Sequence, residues 1–376
     1  MNRSVLVRAL VAPAALSACL SAQAFDQKLS GFGTLAAGQT WGPCTEATMA
    51  TAYDDGCSRF IADWAHAGVY TPDVSARPES RLGLQWTGTF TDTLSATVQG
   101  VGRLGAGTKA ALEWAYLTDK LSPSWTLQLG RKRLPLYYYS DFQDVGYAYA
   151  MIRPAPDVYG WDVVNYDGAN LDWSGDVGDW SVHASVYGGA EDSRKNRYSR
   201  LVSDDPLDVK WKDIVGGSVE VSHDWLTLRA SYTQSKIQVV DRVDGSVQAL
   251  ATGATTGTQD FYGVAAIVDA GDWVGRAELA AADRDDQGYR ARFLYINAGR
   301  RFGAFTPMLQ YSQYMERSTV GDAYVPIHNR TLSAEVRYEV TRSSDLKVQF
   351  DRDIDTTSVR FTGNANLLSV AYDFVF

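Results

Sequence analysis

The chain has 376 residues, and 44 acidic side chains against 35 basic ones leave a net charge of −9. That balance argues against a nucleic-acid partner, which needs a basic stripe. Beyond the N-terminal leader no stretch approaches 18 apolar residues, so no membrane helix is on offer. Yet aromatics reach 12% and prolines number only 11, a profile that suits a β-barrel in lipid, where only alternate residues need be apolar.

In chain order, Arg3 and Arg8 come first, followed by the apolar stretch Ala9 to Leu20 and the small-residue cleavage site Ala22-Gln23-Ala24. Residues 1–24 read as a secretory signal peptide, with a single domain expected over 25–376 and Phe25 as its first residue. Leu16-Ser17-Ala18-Cys19 also has the form of a lipobox, so lipidation at Cys19 stands as the alternative. Loss of the leader removes two positive charges and takes the net charge from −9 to −11. Cys44 and Cys57 follow in a segment rich in Gly, Thr, Asp and Ala. An exported chain with one near pair of cysteines is expected to join them as a disulfide. A metal site is the weaker reading, with His66 the only nearby imidazole and no C-x-x-C.

Sixteen alternating segments then follow, near 28–40, 80–90, 93–105, 108–119, 124–134, 164–174, 179–189, 213–223, 225–236, 259–269, 272–283, 287–301, 304–315, 328–341, 344–353 and 365–376. Tight turns follow the even-numbered segments, such as Thr91-Asp92, Ser122-Pro123 and Phe302-Gly303. Mostly longer polar links follow the odd ones, including 41–79 and 135–163. Short turns at one end and long loops at the other are the layout of a membrane-spanning antiparallel barrel, and an even strand count lets the last strand close on the first.

One face of each segment looks made for lipid. Leu82, Leu84, Trp86 and Phe90 alternate with Arg81, Gln85, Thr87 and Thr89. Trp114, Trp125, Trp173, Trp180, Trp225 and Trp273 fall near turns, as an interfacial girdle would. Charges cannot face hydrocarbon cheaply, at about 2–4 kcal/mol for Arg or Lys at mid-membrane. An inward set is therefore expected, with Arg81, Arg103, Lys132, Arg229, Arg276, Arg290, Arg292, Arg300, Arg337 and Lys347 against Glu113, Asp172, Glu220, Glu278, Glu335, Glu339, Asp351 and Asp373. In the last segment Leu368, Val370, Tyr372, Phe374 and Phe376 share the outer face, and Ser369, Ala371, Asp373 and Val375 the inner.

The link after the fifth segment is too aromatic for a solvated loop. It carries Tyr137, Tyr138, Tyr139, Asp141, Asp144 and Tyr147, then Arg153-Pro154-Ala155-Pro156-Asp157-Val158-Tyr159-Gly160. Packing against the inner barrel wall is the simplest use for those rings.

At L-G-R-K-R-L-P (Leu129 to Pro135), R-P-A-P-D-V-Y-G, Y-D-G-A-N-L (Tyr166 to Leu171) and the terminal Phe376, the chain resembles the Gram-negative general porins. The resemblance covers the mature chain in layout and residues 129–171 and the last strand in motif. It implies an outer-membrane barrel, with outer-membrane lipid, lipopolysaccharide and small hydrophilic solutes as partners, a homotrimer, no nucleic acid and no cofactor. It also implies an inward loop whose acidic groups face a basic wall. The constriction would then hold Tyr137, Tyr138, Tyr139, Asp141, Asp144, Arg153 and Asp157 of the loop with Arg81, Arg103, Glu113 and Lys132 of the wall. The loop departs from the family in its tyrosines and in the positive charge of Arg153, which leaves ion preference open.

Passive diffusion is the first functional reading. A substrate-preferring channel with a tyrosine track and a non-conducting structural or adhesive barrel are the alternatives. An enzyme is not expected, because none of the four histidines, His66, His183, His223 and His328, lies in a nucleophile-elbow or H-E-x-x-H context. His183 alternates inward and would need a serine brought to it.

Overall fold

A computed structural model describes residues 26–43, 58–105, 109–203, 205–358 and 362–376. Residues 1–24, Cys19, Phe25, Cys44 and Cys57 lie outside the described residues. The strands, in chain order, are β1 (Asp26–Trp41), β2 (Phe60–Asp63), β3 (Gly68–Tyr70), β4 (Arg81–Thr89), β5 (Leu94–Arg103), β6 (Lys109–Lys120), β7 (Trp125–Arg133), β8 (Asn165–Val177), β9 (Trp180–Ser193), β10 (Leu207–His223), β11 (Leu226–Asp241), β12 (Gly257–Ala270), β13 (Trp273–Arg284), β14 (Tyr289–Arg300), β15 (Phe305–Ser318), β16 (His328–Thr341), β17 (Ser344–Asp355) and β18 (Ala365–Val375). One helical turn, α1 (Pro156–Tyr159), lies between β7 and β8.

Sixteen strands close into one antiparallel barrel, each pairing with its chain neighbours, while β2 and β3 form a separate hairpin. β1 pairs with β4 on one side and with β18 on the other. All sixteen expected segments are barrel strands, and β10 and β11 run beyond expectation, to Leu207 and Asp241. The β2–β3 hairpin was not foreseen. It sits in the long link after β1, where four-residue and three-residue strands are too short to show a period.

Side chains alternate across the wall. In β18 Leu368, Val370 and Tyr372 are exposed while Ser369, Ala371 and Asp373 are buried. Leu82, Val264, Leu279, Ile296, Leu309, Leu332 and Val348 are likewise exposed around the circumference. A continuous apolar exterior of this kind is stable against hydrocarbon, not water. Trp125, Trp180, Trp225 and Trp273 stand at the turn end, as a girdle requires. Trp114 does not, since it pairs with Gln99 in mid-strand.

One strand reverses the expected phase. Tyr289, Ala291, Phe293 and Tyr295 of β14 belong to the buried core, so Arg290, Arg292 and Arg300 point outward, not into the lumen. The reason is local. Here the inner wall is apolar because it receives the inward loop, and the arginines occupy the two ends of the outer face, away from mid-membrane.

The largest buried cluster lies inside the barrel. It joins Leu134, Tyr137, Tyr139, Met151, Tyr159 and Trp161 of the loop to Trp211, Phe261, Phe293 and Tyr295 of the wall.

Candidate functional site

The chain between β7 and β8, residues 134–164, crosses the lumen and meets the wall in two ways. The aromatic contacts come first along the chain. Tyr137 packs on Tyr159, with ring centres 4.8 Å apart, and edge-on against Phe261 at 5.0 Å. Trp161 sits between Phe261, Phe293 and Trp211 at 5.6–6.0 Å, with the Arg284 guanidinium 4.2 Å above its ring. Glu278 of β13 anchors both ends of this packing, accepting from the Tyr159 hydroxyl at 2.6 Å and from the Tyr138 amide at 3.0 Å. Buried polar groups need such partners, and here they also position the rings.

The second set of contacts is ionic. Asp144 accepts from Arg103 at 2.7 Å and from Arg133, while its carbonyl accepts from Arg81 Nε at 2.7 Å. Arg103 also holds Glu113 at 2.6 Å, and Arg133 approaches Glu113 at 3.3 Å. Burial pushes the Asp144 carboxyl up, but the three arginines outweigh it and hold the group well below the usual carboxylate range. Arg153 is 3% exposed and is clamped by both oxygens of Glu79, at 2.6 and 2.7 Å, and by Asp351 at 2.6 Å. These partners override the desolvation that would discharge the guanidinium. Between the two clusters, Lys347 donates to the carbonyl of Gly146 at 2.6 Å and pairs with Asp373 at 2.9 Å. A side chain at Gly146 would drive its Cβ to 2.0 Å from Asp373 Oδ1, so the loop can lie this close to the wall only with glycine there.

The structure therefore groups the expected site residues unevenly. Arg81, Arg103, Glu113 and Asp144 come together, joined by Arg133 of the L-G-R-K-R-L-P motif. Tyr137 and Tyr139 are buried in packing. Arg153 adds no free positive charge to the lumen, because two carboxylates neutralise it. Glu79, one of them, lies just before a strand, where alternation gives no cue. Asp157 opens α1 against the wall and accepts from Ser312 at 2.6 Å, with burial pushing its carboxyl up. Asp141 is the exposed carboxylate of the group, Tyr138 is partly open, and Lys132 reaches back over the Tyr116 ring at 5.6 Å.

At the loop end, the β2–β3 hairpin folds over this assembly. Trp64 stacks near Tyr198, at 5.8 Å, and lies where a side chain on Gly160 would clash. Asp63 holds His66 at 2.8 Å. A polar cavity of about 290 Å³ opens here, lined by His66, Arg103, Glu113, Arg194, Lys195 and Arg197 among others.

His183 does meet a serine. Its Nδ1 is 3.0 Å from Ser174 Oγ, and its Nε2 is 3.6 Å from Asp172. The three sit on adjacent strands near the turn end, and the Ser174 amide already donates to Ser124 O at 2.9 Å, so it is not free to stabilise an oxyanion. The contact reads as hydrogen bonding within the wall.

No protein-family model matches the sequence, and no curated protein matches it. Solved structures do. OmpF of Salmonella typhi, solved with daunomycin, aligns over 93% of this chain and 97% of its own with a TM-score of 0.60 at 14% identity. The outer membrane channel DcaP of Acinetobacter baumannii aligns over 94% and 97%, with 0.58 at 12%. A loop-deletion mutant of OmpT of Vibrio cholerae aligns over 93% and 99%, with 0.56 at 12%. At such low identity the likeness is one of fold. The chain is built as a porin-type barrel of sixteen antiparallel strands with a loop folded into its lumen.

Proposed function

We propose that the protein is a narrow outer-membrane channel for the passive diffusion of small hydrophilic solutes and ions, with the turn end periplasmic and the loop end extracellular. One observation carries this reading. Part of the lumen wall beside the loop stays open and polar, where the half-buried Gln85, Gln128, Lys132 and Asp172 face inward near the exposed Asp141. A polar lining replaces part of a solute's hydration, and a constriction sets size and charge preference. The trimeric form of OmpT supports testing for a trimer here too. A purely structural barrel would have no need of polar groups along an unfilled wall.

A substrate-preferring channel is the second reading. It is favoured by the partly open rings Tyr116 and Tyr138, the first of them beneath the Lys132 ammonium at 5.6 Å. The tyrosine track is then shorter than the sequence suggests, since Tyr137, Tyr139, Tyr149 and Tyr159 are taken up by packing. Planar-bilayer recordings of the purified protein separate the readings. Steady conductance proportional to salt supports open diffusion, block by a sugar or organic acid supports preference, and no conductance in any condition rejects both.

A further inference from the structure

The wall is not laddered all the way round at the loop end. β6 pairs with β7 only from Ala115, opposite Arg131, to Lys120. Among the described residues, the part of β6 before Ala115 therefore has no partner strand on that side. Side chains span the split instead. Arg131 Nε donates to the Leu112 carbonyl at 3.0 Å, and Asn165 Nδ2 donates to the Glu113 carbonyl at 2.8 Å. The polar cavity of about 290 Å³ lies in this split, bounded by Ala111 and Glu113 of β6, Arg131 of β7 and Asn165 of β8. Of the constriction residues only Arg103 and Glu113 border it, so it adjoins the narrow passage without being part of it.

The charges around the cavity do not balance. Three carboxylates line it, and each already has a cation. Glu113 holds Arg103 at 2.6 Å, Glu191 holds Arg131 at 2.7 Å, and Asp162 holds Arg284 at 2.9 Å. Beyond these pairs stand Arg194, Lys195 and Arg197 of the segment joining β9 to β10. Arg194 reaches only the exposed Asp192, at 3.5 Å. Among the described residues no ion pair or hydrogen bond engages the side chain of Lys195 or Arg197. Arg197 is half-buried, and burial, followed by the charge of Arg103, pulls its guanidinium below the usual range. A surplus of positive charge at a half-closed polar cavity calls for an anion. The volume says which kind, being close to the smallest that hold organic ligands and roomier than a bare phosphate fills.

We propose that this cavity is a binding site for a small sugar phosphate. The phosphate seats against the Lys195 ammonium and the Arg197 fork, whose geometry and charge suit its oxygens. The sugar hydroxyls donate to the carboxylates of Asp162 and Glu191, which the arginines keep ionised as acceptors. The inference gives the channel reading above a solute class and so rests on it, but it is decided by binding in detergent, where conductance plays no part.

The experiment is isothermal titration calorimetry of the purified barrel with glucose monophosphate, glucose and inorganic phosphate as probes. Wild type should bind glucose monophosphate saturably. K195Q/R197Q should weaken that binding about ten-fold, the worth of one charge-assisted hydrogen bond. K212Q, which removes a similar charge from the exposed face of β10, should leave it unchanged. Equal affinity for glucose, or no loss in K195Q/R197Q, would overturn the site. Inorganic phosphate bound as tightly as the ester would overturn the assignment to a sugar phosphate. A barrel that conducts in bilayers but binds no glucose monophosphate sinks the site alone, whereas binding without conductance upholds the site and sinks the channel reading. Heat-modifiable gel migration checks that the variants fold. Should K195Q/R197Q fail that check, the comparison of the three probes on wild type still decides the matter.

Discussion

Residues 136–142 and 158–161 of the inward loop rest on the rings of β10–β15, whereas residues 144–153 are tied to β4, β5, β7 and β17 by charges. Both contacts are buried, but they respond differently to change. A ring that is lost leaves a cavity, and its cost scales with the volume its neighbours cannot refill. A buried ion that loses its partner keeps its full desolvation penalty. The aromatic half should therefore yield gradually, and the ionic half should yield all at once.

The largest effect is expected at Arg153. Arg153→Gln strands Glu79 and Asp351, each 4% exposed or less, at a cost of about 3–5 kcal/mol. The loop should detach, seen as large current fluctuations in bilayers and a lower temperature of gel-shift unfolding. Neutralising Glu79 as well should restore part of the loss; if E79Q/R153Q is no better than R153Q, the clamp is not what holds the loop. Next comes Phe293→Ala, expected to cost about 3 kcal/mol through cavity formation. Its unfolding temperature should fall without the abrupt fluctuations of the Arg153 variant, and identical behaviour of the two would erase the distinction between the halves.

Acid tests the ionic side more gently. Asp63 is pushed up by burial but held down to about 2 by His66. A depressed carboxylate contributes stability above its ordinary value near ~3.9, and that contribution is lost as pH falls through the depressed one. Protease cleavage within β2–β3 should stay slow at pH 4 and rise only toward pH 2. A rise already at pH 5 would rule out this carboxylate as the cause. Asp144, held lower still, should keep its arginines throughout.

The smallest effect should be electrical. Asp141 is exposed near Lys132, and charge in a narrow passage is weakly screened, while charge at a loop tip is screened within about 10 Å at 0.1 M salt. Asp141→Asn should shift the reversal potential modestly toward anions, and Asp205→Asn on an outer loop should leave it unchanged. Asp144→Asn should act mainly on stability, because its charge is already matched. Equal reversal shifts at positions 141 and 205 would mean that Asp141 does not border the ion path.

Much of the architecture was legible because alternation repeats sixteen times and one misread residue cannot hide it. The loop was legible from its rings, and Asp144 with Arg81 and Arg103 from their charge. What could not be read was pairing. Nothing in the sequence marks Glu79 as the partner of Arg153, 74 positions away, or Arg133 rather than Lys132 as the one that turns to Asp144. The phase of β14 was misread for a related reason. Its inner face is apolar because the loop packs there, so the rule that water lies inside and lipid outside fails at that wall.

The ladder between the first and last strands has a bearing on how the molecule is made. Gly31 and Phe376 exchange backbone hydrogen bonds at 2.9 and 3.0 Å, and the rings of Phe374 and Phe376 lie where side chains on Gly33 and Gly31 would otherwise stand. The first barrel strand, β1, thus waits for β18, the last one. Until β18 pairs with β1, the open sheet carries two unpaired edges, each a template for joining another chain. Biogenesis must therefore deliver the polypeptide whole and shielded, and seal the seam last.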